Sequence, residues 1–238
     1  MKESLVVLSD VTRDYGTGGA VTHALRGVSL EVGRGEFLAV AGPSGSGKTT
    51  LLNLVSGLDR PTAGSVVVDG RAVDRLDAAG AALLRRDRIG FVFQAYNLFP
   101  ILTAAENAEY VLMLQGVPAR ERRDRVLPVL ARVGLQGLAD RFPGELSGGQ
   151  QQRVAIARAI ASEPALVLAD EPTANLDSAT SESLLELMAE LNAERNVTFV
   201  FSTHDPRVMA RARRLVVLRD GRIDQDGPPP AASAGHAA

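Results

Sequence analysis

The stretch Phe37-Leu-Ala-Val-Ala-Gly-Pro-Ser-Gly-Ser-Gly-Lys-Thr-Thr50 decides the fold. Residues 37–41 are all apolar and read as a buried strand. Thr49 to Ser56 carries apolar residues at 51, 52, 54 and 55, a helical spacing, and Gly57 stands where a helix is capped. Between them Gly42–Thr49 matches G-x4-G-K-[ST] in the strand-to-helix context the motif requires. Small residues let successive backbone N–H groups turn inward around phosphate oxygens, and the helix adds its positive end. Lys48 supplies a mobile charge for β- and γ-phosphates, and the Thr49 hydroxyl can ligate Mg²⁺. The expected phosphate contacts are Gly42, Pro43, Ser44, Gly45, Ser46, Gly47, Lys48, Thr49 and Thr50. Only two of the 26 basic residues are lysines, Lys2 and Lys48. A chain that otherwise uses arginine has lysine where a planar guanidinium would not fit.

Outward from this stretch, Leu5–Leu8, Val28–Leu30 and Ser65–Asp69 read as strands, the last closed by an Asp69-Gly70 hairpin turn. Phe91 and Phe93 alternate on a further strand and read as core. Thr103–Gln115, Arg120–Val133 and Gly148–Ala161 read as helices, broken at 116–118, Gly134 and 142–144. Then come a strand at Ala165–Ala169, a helix at Thr180–Glu194 and a strand at Val197–Ser202. Asp205-Pro206 opens a short helix, and 215–223 forms a closing hairpin. Residues 227–238, GPPPAASAGHAA, cannot build a core and are expected to be a disordered tail.

The chain has 238 residues, net charge -2 and no cysteine. It is long enough for one large domain, and thiolate chemistry is excluded. The charge balance argues against nucleic acid as a partner. No apolar run reaches the length of a membrane span, and Met1–Leu8 is too short and too soon polar for a signal peptide.

Two further motifs carry chemistry. Leu166-Val-Leu-Ala-Asp170-Glu171 is a strand ending in two acids. With the phosphate loop upstream, Asp170 is expected to hold Mg²⁺, and Glu171, pointing the other way along the pleat, to act as general base. Leu146-Ser-Gly-Gly-Gln150 precedes an apolar-periodic helix. Ser147 is a natural N-cap, and the exposed helix end with its two glycines suits an anion.

On these motifs the chain resembles the ATP-binding cassette of ABC transporters over about residues 4–226. The resemblance implies an α/β fold: a P-loop NTPase (RecA-like) core with an N-terminal antiparallel β subdomain and an inserted α-helical subdomain. The implied division is core 1–94 and 162–226, with helical subdomain 95–161. It also implies ATP and Mg²⁺ as cofactors. Gln94 matches the glutamine that senses Mg²⁺ and the attacking water. His204 matches the switch histidine at the γ-phosphate, and Asp177 lies in the Ala174–Asp177 segment that resembles the D-loop. Tyr15 lies where cassettes stack an aromatic on adenine. Ser147, Gly148, Gly149 and Gln150 would contact ATP held by a second cassette, in a head-to-tail homodimer. The stretches Ser56–Gly64, Phe93–Pro100, Leu102–Asn107, Leu168–Asp177 and Phe201–Pro206 resemble the lipoprotein-releasing and macrolide-exporter cassettes. A membrane permease is then expected to dock near Gln94–Leu102, where Tyr96, Leu98, Phe99 and Leu102 would line its groove. The chain would sit peripherally on the cytoplasmic face of the cell membrane. Repair and translation ATPases are disfavoured, for want of a coiled-coil insertion or a second cassette. A small-molecule kinase is disfavoured by the 146–150 pentapeptide. A regulatory cassette of the cell-division type, signalling without transport, is the alternative.

Overall fold

A computed structural model describes residues 3–16 and 21–230. In chain order the elements are β1 (Ser4–Tyr15), β2 (Thr22–Gly33), β3 (Phe37–Ala41), α1 (Lys48–Val55), β4 (Ala63–Val68), β5 (Arg71–Ala72), α2 (Ala78–Arg88) and β6 (Ile89–Val92). There follow α3 (Ala104–Leu114), α4 (Ala119–Arg132), α5 (Gly148–Ile160), β7 (Leu166–Asp170), α6 (Ser178–Arg195), β8 (Thr198–Thr203), α7 (Pro206–Arg211), β9 (Arg214–Arg219) and β10 (Arg222–Gly227). One sheet is antiparallel, in the order β2-β1-β4-β5. The other has the order β10-β9-β3-β8-β7-β6 and is parallel except at the edge strand β10.

The composition of the strands explains this division. β3 and β8 are buried along their whole length, as parallel strands covered on both faces must be. One face, with Leu38, Val40, Leu166 and Leu168, packs against α1 (Leu51, Leu54) and the antiparallel sheet (Leu5, Leu8, Val66). The opposite face, with Phe37, Phe199, Phe201 and Val167, packs on α3, α5 and α6. The rings of Phe37, Phe199 and Phe201 lie 4.6–5.8 Å apart. Fully burying a leucine or phenylalanine contributes about 1.5–3 kcal/mol, so these two layers hold the parallel sheet from both sides.

The structure extends several sequence expectations. β1 and β2 run 12 residues each, well beyond the short apolar runs. Their alternation is broken by register shifts at Leu8/Val11 and Arg13/Asp14 and by Asp10, whose φ is 49°. Helix α2 was not anticipated. It holds Gly80 and several arginines, and only Ala81 and Leu84 are buried. Its N-cap, Asp77, accepts a bond from the Gly80 N–H. Phe91 is half-buried and packs against the core, whereas Phe93, also half-buried, lies beyond the end of β6; the two rings stack at 5.3 Å along a groove, so the reading of Phe93 as a core strand residue is corrected. Of the expected tail at 227–238, Gly227 instead ends β10, and 231–238 lie outside the described residues.

Candidate functional site

The loop Gly42–Gly47 joins the end of β3 to the start of α1. Two of its glycines are required sterically. A Cβ on Gly42, at φ 151°, would lie 2.2 Å from the Leu218 carbonyl oxygen. On Gly47, at φ 106°, it would lie 2.6 Å from the Ala24 carbonyl. Lys48 is 8% exposed. Its Nζ donates to the carbonyls of Gly42 (2.7 Å) and Pro43 (3.0 Å), so the ammonium is held against the loop it serves.

Strand order brings the acids to this loop. β8 lies between β3 and β7, so the carboxyl ends of the three strands stand side by side. Thr49 Oγ1 lies 3.4 Å from Asp170 Oδ2. Asp170 Oδ1 is buried and has no hydrogen-bond partner in the structure. A carboxylate oxygen left unpaired beside a threonine hydroxyl fits a divalent cation with oxygen ligands. Glu171 follows at φ 46°. It has left the strand, so a left-handed turn and not the pleat aims its side chain, a correction to the sequence reading. Its N–H donates to the Ser202 carbonyl (2.9 Å). His204 Nδ1 lies 2.7 Å from Glu171 Oε1, and Thr203 Oγ1 lies 3.4 Å from Oε2. Their exposures differ: 16% for the Glu171 side chain and 72% for His204. The carboxylate is recessed and the imidazole faces outward. Asp205, next in line, caps α7. Burial works to raise its carboxyl, but hydrogen bonds from Arg207 and Thr173 outweigh this and hold it below the usual range.

A cleft of about 700 Å³ is lined by Pro43–Thr50, Gln94, Glu171 and His204, together with Thr22, His23, Ala24 and Ser202. The last four escaped the sequence reading. Ser202 sits in a strand that reads as core, yet its Oγ is buried without a partner, as is that of Ser46. Polar residues ending an otherwise apolar strand, Ser202-Thr203, were the available signal. Thr22, His23 and Ala24 reach the cleft through the β1–β2 pairing, which no local motif reveals.

Tyr15 is not among the lining residues. Its hydroxyl donates to Asp59 (2.7 Å), and Arg13 covers one ring face at 4.5 Å. It pairs with Thr22 at the rim of the cleft. Asp177 is likewise outside: it caps α6, and hydrogen bonds from Thr180 hold its carboxyl below the usual range. Ser147–Gln150 are also absent from the cleft. Ser147 caps α5 in a reciprocal box, its Oγ accepting from the Gln150 N–H (3.3 Å) while Gln150 Oε1 accepts from the Ser147 N–H (2.9 Å). Gln150 is therefore committed to the cap. Gly148 and Gly149 allow close approach: a Cβ would meet the Tyr96 hydroxyl at 3.0 Å and Thr180 Cγ2 at 2.5 Å. Of the residues expected to line the groove beside Gln94, only Phe99 does so, with Phe91, Phe93, Asn97, Tyr110 and Arg158. Leu98 instead packs on the core.

Comparison with known proteins identifies the family. The family model "ABC transporter" matches residues 25–174. The lipoprotein-releasing system ATP-binding protein LolD of Anaeromyxobacter dehalogenans is 50% identical, over 94% of this chain and 94% of LolD. The macrolide export ATP-binding/permease protein MacB of Hyphomonas neptunium is 48% identical over 95% of this chain. The chain spans only 35% of that MacB's length and 33% of the MacB 1/2 of Paracoccus denitrificans. The cassette MJ0796 of Methanocaldococcus jannaschii has a dimeric post-hydrolysis structure bound to ADP and Pi. It superposes with a TM-score of 0.87 at 43% identity, over 95% of this chain and 99% of that one. The chain belongs to the ABC transporter family, as one of its ATP-binding cassettes.

Proposed function

We propose that this chain hydrolyses MgATP as a head-to-tail dimer of cassettes and drives a separate membrane permease of the lipoprotein-releasing or macrolide-exporting type. One observation carries the shared-site reading. The cleft holds a phosphate loop, a recessed carboxylate and an outward histidine, whereas the second anion-seeking helix end, Ser147–Gly149, lies outside it in the same chain. A partner's helix end would close the open side of the γ-phosphate and exclude water.

In this reading the loop amides and Lys48 bind the β- and γ-phosphates, and Tyr15 offers its uncovered face to adenine. Thr49, Asp170 and Gln94 would hold Mg²⁺, which supplies positive charge against the phosphate oxygens. Glu171 accepts a proton from the attacking water, whose oxygen displaces ADP from the γ-phosphorus. His204 holds the Glu171 carboxylate from one side and faces the γ-phosphate on the other. Asp177 and the Ser147 end come from the facing chain. The helical segment 95–161 moves against the core 1–94 and 162–226 as the dimer opens. The permease docks in the aromatic groove beside Gln94–Leu102, and the chain is peripheral on the cytoplasmic face of the membrane.

The test mixes two inactive proteins, Ser147→Arg and Lys48→Ala. Each mixed dimer holds one site with an intact loop and an intact facing helix end. Phosphate release above that of either protein alone is expected, at most one site in two and lower to the extent that each site depends on its neighbour. A Ser147→Arg protein that hydrolyses ATP normally would sink the shared-site reading. Phe99→Asp should abolish capture by permease-containing membranes while leaving soluble turnover intact; undiminished capture removes the groove from the docking role.

A further inference from the structure

Gln152 has no task in the mechanism above, yet it lies fully buried on α5, just beyond the Ser147 end. Its Nε2 donates to the Pro172 carbonyl at 2.7 Å. Pro172 is the residue after Glu171. The Gln152 Oε1 is buried and has no donor in the structure. The amide can face Pro172 only with its nitrogen, because the reverse sets two carbonyl oxygens together. A buried acceptor without a donor is costly; methionine or leucine would fill similar volume without that loss but would leave the Pro172 carbonyl of a buried residue without its donor. Packing alone therefore does not account for an amide here. Departures of this kind gather at functional sites.

The turn held by Gln152 is a junction. Asn175 Nδ2 donates to the Gln94 carbonyl (3.0 Å), and Thr173 Oγ1, itself 1% exposed, donates to Asp205 (3.0 Å) beside His204. These bonds join the Glu171–Asp177 turn to the segments bearing Gln94 and His204. Gln152 adds the fourth segment, the helix whose N-terminus serves the facing site. Glu171 stands at φ 46°, with its N–H on Ser202, so the Pro172 side of the turn helps fix where its carboxylate points.

We propose that Gln152 is a positioning residue that couples the two hydrolytic sites. Engagement of the Ser147 end by the partner's nucleotide is transmitted through α5 and the Gln152–Pro172 bond to Glu171 of the same chain. The inference rests on the shared-site reading and on Glu171 as base. Gln152 touches neither nucleotide nor water.

The test uses the full chain with Gln152→Met and Gln152→Leu, two apolar fillers, and Glu171→Gln as control. Steady-state phosphate release against ATP concentration gives kcat and a Hill coefficient. A fluorescent ATP analogue gives affinity at dilution. For wild type the Hill coefficient should lie well above 1, toward the two sites of a dimer. In the fillers kcat should fall about tenfold or more and the Hill coefficient toward 1, with analogue affinity within about twofold. A filler with wild-type kcat and Hill coefficient overturns the proposal. If neither filler melts cooperatively above the assay temperature, Gln152 holds the fold and the coupling role is likewise refuted. Failure of the underlying reading shows elsewhere: Glu171→Gln turning over normally, or wild type with a Hill coefficient of 1.

Discussion

Glu171→Gln should separate binding from chemistry. The carboxylate is held at both oxygens, by His204 at 2.7 Å and, more loosely, by Thr203 at 3.4 Å, and the backbone is anchored on Ser202 at 2.9 Å. Glutamine has the same length, and none of these partners belongs to the phosphate loop. Its amide can keep a bond to His204 through its oxygen. The cradle therefore keeps its shape, and ATP affinity should change by no more than about twofold. What disappears is the proton acceptor. A positioned general base contributes about 10²–10⁴ in rate. A thousandfold loss in kcat corresponds to about 4 kcal/mol of transition-state stabilisation. The assay is phosphate release under saturating MgATP, paired with size-exclusion chromatography. Turnover should approach background while ATP shifts the protein to a dimer that persists, because the shared nucleotide is no longer consumed. Turnover within about tenfold of wild type would refute the reasoning, since the carboxylate would then be no more than a hydrogen-bond acceptor for His204.

Lys48→Arg should weaken the fluorescent ATP analogue about 10- to 100-fold, close to Lys48→Ala, because a guanidinium cannot occupy the two-carbonyl seat beside Gly42; equal affinities for Lys and Arg would contradict this. Gly42→Ala should cost about 3 kcal/mol in urea unfolding, since its Cβ meets the Leu218 carbonyl at 2.2 Å, and an unchanged midpoint would show that the loop yields instead. Burial raises the Asp69 carboxyl, but the hydrogen bonds from Arg34 and Arg88 outweigh it and hold the group below its usual value. The stability this confers is fully present above the unfolded value near pH 4 and is lost as pH falls through the lower folded value. Asp69→Asn, acceptable at φ 50°, should cost about 1–2 kcal/mol at pH 7, the arginines being over one-third exposed, and should leave less acid sensitivity below pH 4. Thermal melts from pH 3 to 7 check the sign, which an enhanced acid sensitivity would reverse.

What could be read from the sequence was chemistry carried by neighbours in the chain. Gly42–Thr49 reads as a cradle because its glycines, lysine and threonine sit together in one loop, and Ser147 with Gln150 forms its cap within four residues. β7 announced itself as an apolar run ending in acids. What could not be read depends on distance. Ser202 looks like one more residue of a buried strand until β8 is placed between β3 and β7. Thr22 and His23 enter the cleft only because β2 pairs with β1 in a particular register. β1 and β2 were underestimated because bulges break the period-2 pattern over polar residues. α2 was missed because only two of its eleven residues are buried. Glu171 lines the cleft, but the geometric ground for aiming it there was wrong, since a left-handed turn breaks the alternation.

In the proposed shared-site reading, the strand order explains why each site would draw on a second copy. Inserting β8 between the loop-bearing β3 and the acid-bearing β7 lets one cleft collect the phosphate loop, Glu171 and His204, with Asp170 adjoining it at Thr49. All of these lie at the carboxyl ends of parallel strands, where successive helices leave an opening. α5 arrives by another route. It packs on β6 and α3, at the far edge of the sheet from β3, so its N-terminus is carried away from its own chain's phosphate loop. Each chain thus presents an open anion cleft and, apart from it, a capped helix end with no anion of its own. In the proposed dimer a two-fold operator would match each to the other's counterpart and use both surfaces twice, which would close the assembly at two chains. A single polar translation would satisfy one pair and leave the other exposed, extending without end. In that reading closure, and with it the dependence of each site on both chains, would follow from where the sheet order leaves α5.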